Sequence, residues 1–297
     1  MRANVNRCLL CIALSLLLLC GTVTVMGAET GWQRTFGEVA ALSARPPDRV
    51  IRYGAEATQF VELWLPNAVE SAAPVVVLIH GGCWLADYDI AHIRPLAAAL
   101  ADAGFAVWAP EYRRVGDAGG GWPGTFQDIA TGIDALATVD EPRLDRERVV
   151  FAGHSAGGHL ALWAAARERI PTDSVLYTET PLKPAGALGL AAITDLAAYA
   201  RGDNSCERVT PSLMGGAPDV QAERYAQASP AALGLATEVV LLQGGADRIV
   251  DPAQAEALAD ARVVRLPEAG HFDLIHPRSP AFDRILALLE AMLTDAP

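Results

Sequence analysis

Short runs of apolar residues alternate with longer amphipathic segments along most of the chain. Val75–Ile79 is a continuous apolar run between Pro74 and two glycines, the pattern of a strand buried on both faces. Further strands are predicted at Phe105–Ala109, Arg148–Ala152, Ala187–Ala192, Glu238–Leu242 and Val263–Leu266, and helices at 90–103, Phe126–Val139, Ala156–Arg167, Ala253–Ala259 and Pro280–Leu293. Because strands and helices take turns, the chain is expected to form βαβ units and a mostly parallel sheet.

Two shorter patterned segments, Val50–Tyr53 and Gln59–Leu65, precede that run. Alternate residues of the second fall on opposite faces, as in a strand, so we expect an antiparallel edge on the sheet. The rhythm breaks between residues 194 and 235, which are rich in Gly, Ser, Asn and Ala. We interpret this stretch as a cap inserted over one end of the sheet. No repeat or linker divides residues 29–297, which are predicted to form one domain.

The first residues have the pattern of a secretory signal. Arg2 and Arg7 precede an uncharged stretch, Cys8–Ala28, whose most apolar part has the length of a signal-peptide core. Small residues near its end suit cleavage, so residues 1–28 are predicted to be a signal peptide and the protein periplasmic or secreted. An uncleaved N-terminal membrane anchor is the alternative, because this uncharged stretch is just long enough to cross a bilayer.

Composition narrows the function classes. Apolar residues make up 52% of the chain and charged residues 20%, which excludes disorder as the main state. The formal net charge is −12, and it becomes −14 if residues 1–28 are removed. A nucleic-acid partner is therefore not expected, because such proteins usually carry a basic face. No later stretch has the length of a transmembrane helix, so no stable span is expected after signal removal.

Cysteine positions suggest one disulfide bond. Cys8, Cys11 and Cys20 lie within the predicted signal, which leaves Cys83 and Cys206 in the mature chain. An even number in an exported protein permits a bridge between them. Two free buried thiols are the alternative, since cysteine often serves as a small core residue.

A serine lies at a glycine-rich junction between a predicted strand and a predicted helix. The residues Gly153-His154-Ser155-Ala156-Gly157 have the form G-x-S-x-G, in which a tight turn projects the serine hydroxyl from its tip. The backbone N–H of Ala156 lies at the start of the new helix and could donate to an oxyanion. We therefore predict that Ser155 is a catalytic nucleophile.

A serine nucleophile needs a base, and the base needs a carboxylate that orients it. In this architecture the chain order is Ser, then Asp, then His. Asp247 and His271 each come just after a predicted strand, on the same edge of the sheet as Ser155. Asp251 is the rival acid, but it precedes Pro252 and is expected to cap the next helix.

The buried strand Val75–Ile79 runs into His80-Gly81-Gly82-Cys83-Trp84. Two glycines allow the backbone to turn sharply and to expose amides that would complete an oxyanion hole with Ala156. Trp84, His154 and Phe272 are the candidate pocket residues, and core packing is an equal alternative for Trp84.

No cofactor or metal is expected. The G-x-G-x-x-G match at Gly119–Gly124 contains Pro123 and does not lead from a strand straight into a helix, as a dinucleotide loop should. After the predicted signal, the sequence has no HExxH or CxxC pair to support a metal site.

The segments HGGCW, GHSAGGHLALW, GGADRIVD and EAGHFD occur in this order, and together the chain resembles the α/β-hydrolase superfamily over residues 50–293. The HGGxW form, GHSAGGH and the Glu111–Arg114 segment EYRR are similar to its esterase/arylformamidase branch. The resemblance implies a three-layer α/β sandwich with a small cap. It also implies Ser155, Asp247 and His271 as the triad, with the amides of Gly82, Cys83 and Ala156 as the oxyanion hole.

These observations predict a serine hydrolase that cleaves small carboxylic esters through an acyl-enzyme. An arylformamidase, similar to kynurenine formamidase, would use the same triad on a formamide substrate. A catalytically silent binding module is a third hypothesis, because a fold alone does not establish activity.

Overall fold

The computed structural model describes residues 31–67 and 71–294. The predicted signal peptide, its cleavage site and the three cysteines within it therefore lie outside the described residues. Within the described ranges, no helix is both long and apolar enough to span a membrane.

In residues 31–67 and 71–294, eight strands form one sheet in the order β1-β2-β4-β3-β5-β6-β7-β8. The strands are β1 (Arg49–Arg52), β2 (Phe60–Trp64), β3 (Ala73–Ile79), β4 (Ala106–Pro110), β5 (Leu144–His154), β6 (Gly186–Leu190), β7 (Glu238–Gly244) and β8 (Arg262–Leu266). β2 pairs antiparallel with both β1 and β4, and all other pairs are parallel. The predicted parallel sheet with an antiparallel edge is confirmed.

Within the described residues, ten α-helices connect or flank these strands. They are α1 (Phe36–Ala40), α2 (Arg94–Asp102), α3 (Gly124–Asp134), α4 (Ala156–Ala165), α5 (Leu196–Tyr199), α6 (Thr210–Met214), α7 (Ala222–Ala228), α8 (Pro230–Leu233), α9 (Ala253–Glu256) and α10 (Ala281–Thr294). Short 3-10 turns precede α2 and follow α3. The sheet and helices have the α/β-hydrolase arrangement predicted from the sequence.

Side chains of β3 alternate between two apolar layers, one on each face of the sheet. Val75, Val77 and Ile79 pack in the layer that contains residues of α3 and α4. Val76 and Leu78 pack in the layer that contains residues of α2 and α10. Both faces are covered, which explains why the sequence of this strand is continuously apolar.

Residues 194–235 lie between β6 and β7 and form four short helices, α5 to α8, with one 3-10 turn. Leu213, Met214 and Tyr225 from this segment are buried in the layer formed with α3 and α4. We call residues 194–235 the cap segment. Its helices are short because glycines and prolines interrupt them, as at Gly215, which has a left-handed conformation with φ of 73°.

Candidate active site

Ser155 lies at the tip of a sharp turn between β5 and α4. Its φ and ψ are 57° and −121°, an uncommon conformation for a residue with a side chain. The turn is tight: a Cβ atom on Gly157 would lie 2.2 Å from the carbonyl oxygen of Ile79, so only glycine fits. The Ser155 amide donates to the carbonyl of Leu190 on the adjacent strand at 2.8 Å, which fixes the turn against the sheet.

Asp247 and His271 follow β7 and β8 and form a direct pair. His271 Nδ1 lies 2.8 Å from Asp247 Oδ2. The other carboxylate oxygen accepts the amides of Ile249 and Val250 at 2.8 Å and 3.1 Å. Burial opposes ionisation of Asp247, but the contact with His271 and these two amides outweigh it and hold its pKa below the ordinary range. An ionised carboxylate therefore orients the imidazole.

His154 supports the loop that carries His271. Its Nε2 lies 3.0 Å from the carbonyl oxygen of His271, so the ring donates to that oxygen. Burial, reinforced by the nearby His271 ring, holds the pKa of His154 well below its ordinary value. His154 is therefore neutral at physiological pH. It lines the cavity, as the sequence predicted, and also braces the His271 loop.

The loop after β3 supplies backbone amides next to Ser155. Gly82 and Cys83 have φ angles of 101° and 53°, and a Cβ atom on Gly82 would lie 2.3 Å from Tyr88 Cβ. Within the described residues, the amides of Gly82, Cys83 and Ala156 donate to no protein acceptor. Three unused N–H groups thus lie on the two segments predicted to form an oxyanion hole.

A buried network of charged and polar side chains fixes the position of this loop. His80 Nε2 lies 2.9 Å from Glu111 Oε1, and the second oxygen of Glu111 accepts the amide of Ile90 at 2.9 Å. Arg114 Nη1 donates to the carbonyl of Tyr88 at 2.6 Å. Burial alone would raise the pKa of Glu111, but His80 and Arg114 hold it below its ordinary range. His80 thus fixes the loop through its contact with Glu111.

Ser155, His154 and His271 line one cavity of about 210 Å³ with Gly82, Cys83 and Phe272. No hydrogen bond shorter than 3.5 Å joins Ser155 Oγ to His271 Nε2 in the described part of the chain. Such contacts often tighten only when substrate binds. The cavity therefore brings together Ser155, His271 and two of the three residues predicted to form the oxyanion hole, and Ala156, the residue after Ser155, is buried.

The predicted position of Trp84 in the pocket is wrong. Trp84 is fully buried and does not line the cavity, because its φ of 56° turns the chain back into the core. There its Nε1 donates to His159 Nδ1 at 3.2 Å, and His159 Nε2 lies 2.9 Å from the carbonyl of Ala228 in the cap segment. Burial lowers the pKa of His159 to about 4, so this bridge is neutral.

Cys83 and Cys206 are joined by a disulfide bond, with their Cα atoms 5.0 Å apart. Both residues line the cavity. The bond links the loop after β3 to the cap segment, alongside the bridge through His159.

Five further residues line the cavity that sequence reasoning did not identify: Phe36, Tyr88, His92, Ser205 and Ile249. His92 has no acidic partner that its sequence context would suggest, yet it lies on the cavity wall. Tyr88 lies a few residues after Cys83, and this closeness to the predicted oxyanion hole could have identified it from sequence. Phe36 and Ser205 carry no motif, and only the fold brings them to the site.

Asp251 accepts the amide of Ala253 at 2.8 Å at the start of α9, as its sequence context predicted.

Within residues 31–67 and 71–294, no group of three or more His, Cys, Asp or Glu side chains is placed to hold a metal ion.

The BD-FAE family model matches residues 61–261, about two thirds of the chain. The chain belongs to the BD-FAE family. Ser155 and Asp247 lie inside the matched range, whereas His271 lies beyond its end. This membership confirms the resemblance to an esterase-like branch of the α/β-hydrolases.

Named relatives include the probable isoprenylcysteine alpha-carbonyl methylesterase ICMEL1 of Oryza sativa, 25% identical over 72% of this chain and 52% of its own length. Esterase LipC of Mycobacterium tuberculosis is 30% identical over 41% of this chain and 30% of its own length. The chain thus spans about half or less of these two relatives.

Two solved structures are similar in fold. Esterase B from Lactobacillus rhamnosis superimposes with a TM-score of 0.71 at 20% identity, covering 86% of this chain and 90% of that one. A truncated carbohydrate esterase from gut microbiota has a TM-score of 0.70 at 19% identity, covering 84% of this chain and all of that one. The α/β-hydrolase fold is therefore shared along nearly the whole described chain.

Proposed function

We propose that the protein is a serine hydrolase that cleaves small carboxylic esters through an acyl-enzyme. The observation that carries this proposal is the Asp247–His271 pair at 2.8 Å, with His271 lining the same cavity as Ser155 at its strained turn. The relatives named as esterases and methylesterases support ester chemistry.

In the first half-reaction, Ser155 Oγ attacks the ester carbonyl carbon while His271 Nε2 accepts the hydroxyl proton. The carbonyl electron pair moves onto oxygen and forms a tetrahedral oxyanion. As this intermediate collapses, the bond to the alcohol oxygen breaks and His271 returns the proton to the leaving alcohol. Asp247 holds the imidazole in orientation and stabilises its charged form.

In the second half-reaction, His271 removes a proton from water, which attacks the acyl carbon. The bond to Ser155 Oγ then breaks, the acid is released and the proton returns to the serine. The amides of Gly82, Cys83 and Ala156 would stabilise both oxyanions, and one such donor is typically worth about 3 kcal/mol. Their φ-strained loop holds two of these donors in place before substrate arrives.

The decisive experiment compares kcat/KM for p-nitrophenyl acetate and butyrate in the wild type and in Ser155→Ala. We expect Ser155→Ala to fold normally and to lose at least 10³-fold in kcat, because the nucleophile is gone. Ser212→Ala is the matched control, since Ser212 is exposed on α6 away from the cavity. Equal turnover in Ser155→Ala and the wild type would contradict the proposal.

Asp247→Asn tests the orienting acid in the same assay. Losing the charge that fixes the imidazole tautomer is expected to lower kcat by about 10³–10⁴-fold. Asp251→Asn is the matched control and should retain turnover, because Asp251 only caps α9.

N-formylkynurenine, assayed beside the esters, separates the esterase from an arylformamidase: a strong preference for it would contradict the ester assignment.

We also propose that the protein is exported, with residues 1–28 removed. The basic, apolar and small-residue pattern of these residues and the pairing of Cys83 with Cys206 support this proposal. Expression in a bacterial host followed by mass analysis of the periplasmic protein should give a chain that starts near residue 29. An intact N-terminus in the membrane fraction would favour the anchor instead.

A further inference from the structure

A short segment ahead of the sheet forms part of the cavity wall. Phe36 is the first residue of α1 and lines the cavity with Ser155 and His271. Its ring lies 5.7 Å from Phe272 and 5.5 Å from Tyr88, measured between ring centroids. One side chain from residues 31–40 therefore closes the gap between the loop that carries His271 and the loop after β3.

A buried carboxylate fastens this segment to the His271 loop. Asp273 is fully buried and accepts the amides of Gln33 at 2.6 Å and Arg34 at 3.2 Å. The same side chain accepts the amide of Gly270 at 2.6 Å, just before His271. Because one carboxyl side chain accepts amides from both segments, Asp273 ties the two backbones together.

The start of α1 is also fixed locally. Thr35 accepts the amide of Glu38 at 3.2 Å, and Glu38 accepts the amide of Thr35 at 2.7 Å, which is a capping box. This arrangement sets the residue at which the helix begins, and so it sets the position of Phe36.

Phe36 stands between two cavities. A second cavity of about 140 Å³ is lined by Phe36, Tyr88 and His92, which also line the first cavity. Ala40, Asp87, Asp89 and Ala91 complete its wall. Removing the Phe36 ring would therefore join a small active-site cavity to additional space.

We propose that Phe36 is a specificity-determining residue that limits the length of the ester accepted beside Ser155, and that Asp273 is a positioning residue that holds it there. This inference rests on the proposed esterase activity. Phe36 does not take part in the chemistry, so its removal should change which esters react more than how fast the shortest ester reacts.

The test measures kcat/KM for p-nitrophenyl esters from acetyl to octanoyl, and for acetates of alcohols from methyl to octyl. In Phe36→Ala, we expect the ratio of the longest to the shortest ester to rise at least tenfold in one series. Phe36→Trp should lower the same ratio, because a larger ring shortens the cavity. Phe282→Ala is the matched control: it removes a partly buried ring on α10 that does not line the cavity.

Asp273→Asn tests the positioning role. It should shift the ratio in the same direction as Phe36→Ala, and the double variant should shift it no further than Phe36→Ala alone. A purely structural role would instead lower kcat for every ester by a similar factor and leave the ratio unchanged. That result would overturn the role of Asp273.

Two failures remain distinguishable. If the wild type hydrolyses short esters and Ser155→Ala does not, but both Phe36 variants keep the wild-type ratios in both series, the proposal for Phe36 is wrong while the esterase function stands. If the wild type hydrolyses none of the esters, the proposed function itself fails, and with it the basis of this inference.

Discussion

Each residue of the proposed triad makes at least one hydrogen bond, through its backbone or its side chain, to a group outside the triad. Ser155 is fixed through its own amide to Leu190, and Asp247 through the amides of Ile249 and Val250. The carbonyl of His271 meets the ring of His154. The backbone positions of Ser155 and His271 therefore do not depend on the other triad residues, so a single substitution should leave the backbone of the others in place.

Buried neutral histidines make stability depend on pH. Burial, together with the neighbouring His80, lowers the pKa of His92 to about 4, whereas an unfolded histidine titrates near 6.5. A lowered pKa means that the stabilising contribution is present above about pH 6.5 and is lost as the pH falls towards 4. His159 titrates in the same way.

In His92→Gln we expect the free energy of unfolding to fall less steeply between pH 6 and 4.5. One proton corresponds to at most about 1.4 kcal/mol per pH unit, so the slope should decrease by about 1 kcal/mol per unit. Urea unfolding at several pH values measures the slope. A packing loss would lower stability equally at all pH values, so identical slopes in the two proteins would refute this account.

Ser155, Asp247 and His271 could be predicted from sequence because each follows a segment whose pattern predicts a strand. Trp84 was misplaced since a positive φ, which reverses the chain into the core, leaves no trace in the residue pattern. Phe36 could not be found at all, because its contact with Phe272 joins positions more than 200 residues apart. Contacts of that kind arise only from the completed fold.

At the scale of elements, the buried strands were predicted well and the short helices less so. The predicted helix at Ala253–Ala259 ends at Glu256, although its alanines favour helix. The chain must turn there to bring Arg262 beside Val240 on β7. Pairing in the sheet thus overrides local helix propensity at this point. In contrast, β3 is buried on both faces, so its continuous apolar run clearly predicts a strand.

The disulfide bond is the covalent link between two elements of the site, and its loss should cost stability. Cys83 and Cys206 are 123 residues apart in sequence, so the bond closes a long loop. In the chain-entropy model such a loop stabilises the folded state by about 4–5 kcal/mol. For a domain of this size, that corresponds to a decrease in Tm of about 10–15 °C.

We expect the double variant Cys83→Ala/Cys206→Ala to show this decrease and to lose kcat, because the loop bearing two oxyanion donors is no longer tied to the cap segment. Wild-type protein treated with reductant is the control and should show the same loss. Peptide mapping without reductant should recover the linked peptide pair. Recovery of both cysteines as free thiols would rule the bond out.

At the scale of the whole molecule, parallel strands place every reacting group at one edge of the sheet. Ser155, Asp247 and His271 follow β5, β7 and β8, whose carboxyl ends point the same way. This geometry follows from the alternation of strands and helices and was predictable. The conformation of the cap segment could not be predicted, because its short helices are fixed by packing against α4 and the loop after β3. Periodicity in the sequence does not define them.

The cap segment leaves the sheet after β6 and returns at β7, two strands that are direct neighbours. Its two ends are therefore close together, and the segment could in principle be exchanged for that of another hydrolase without redesigning the sheet. The exchange would remove two contacts, because Cys206 and the carbonyl of Ala228 belong to the segment that is replaced. A chimera must therefore bring its own partners for Cys83 and His159, so the exchangeable unit is the cap segment together with these two contacts.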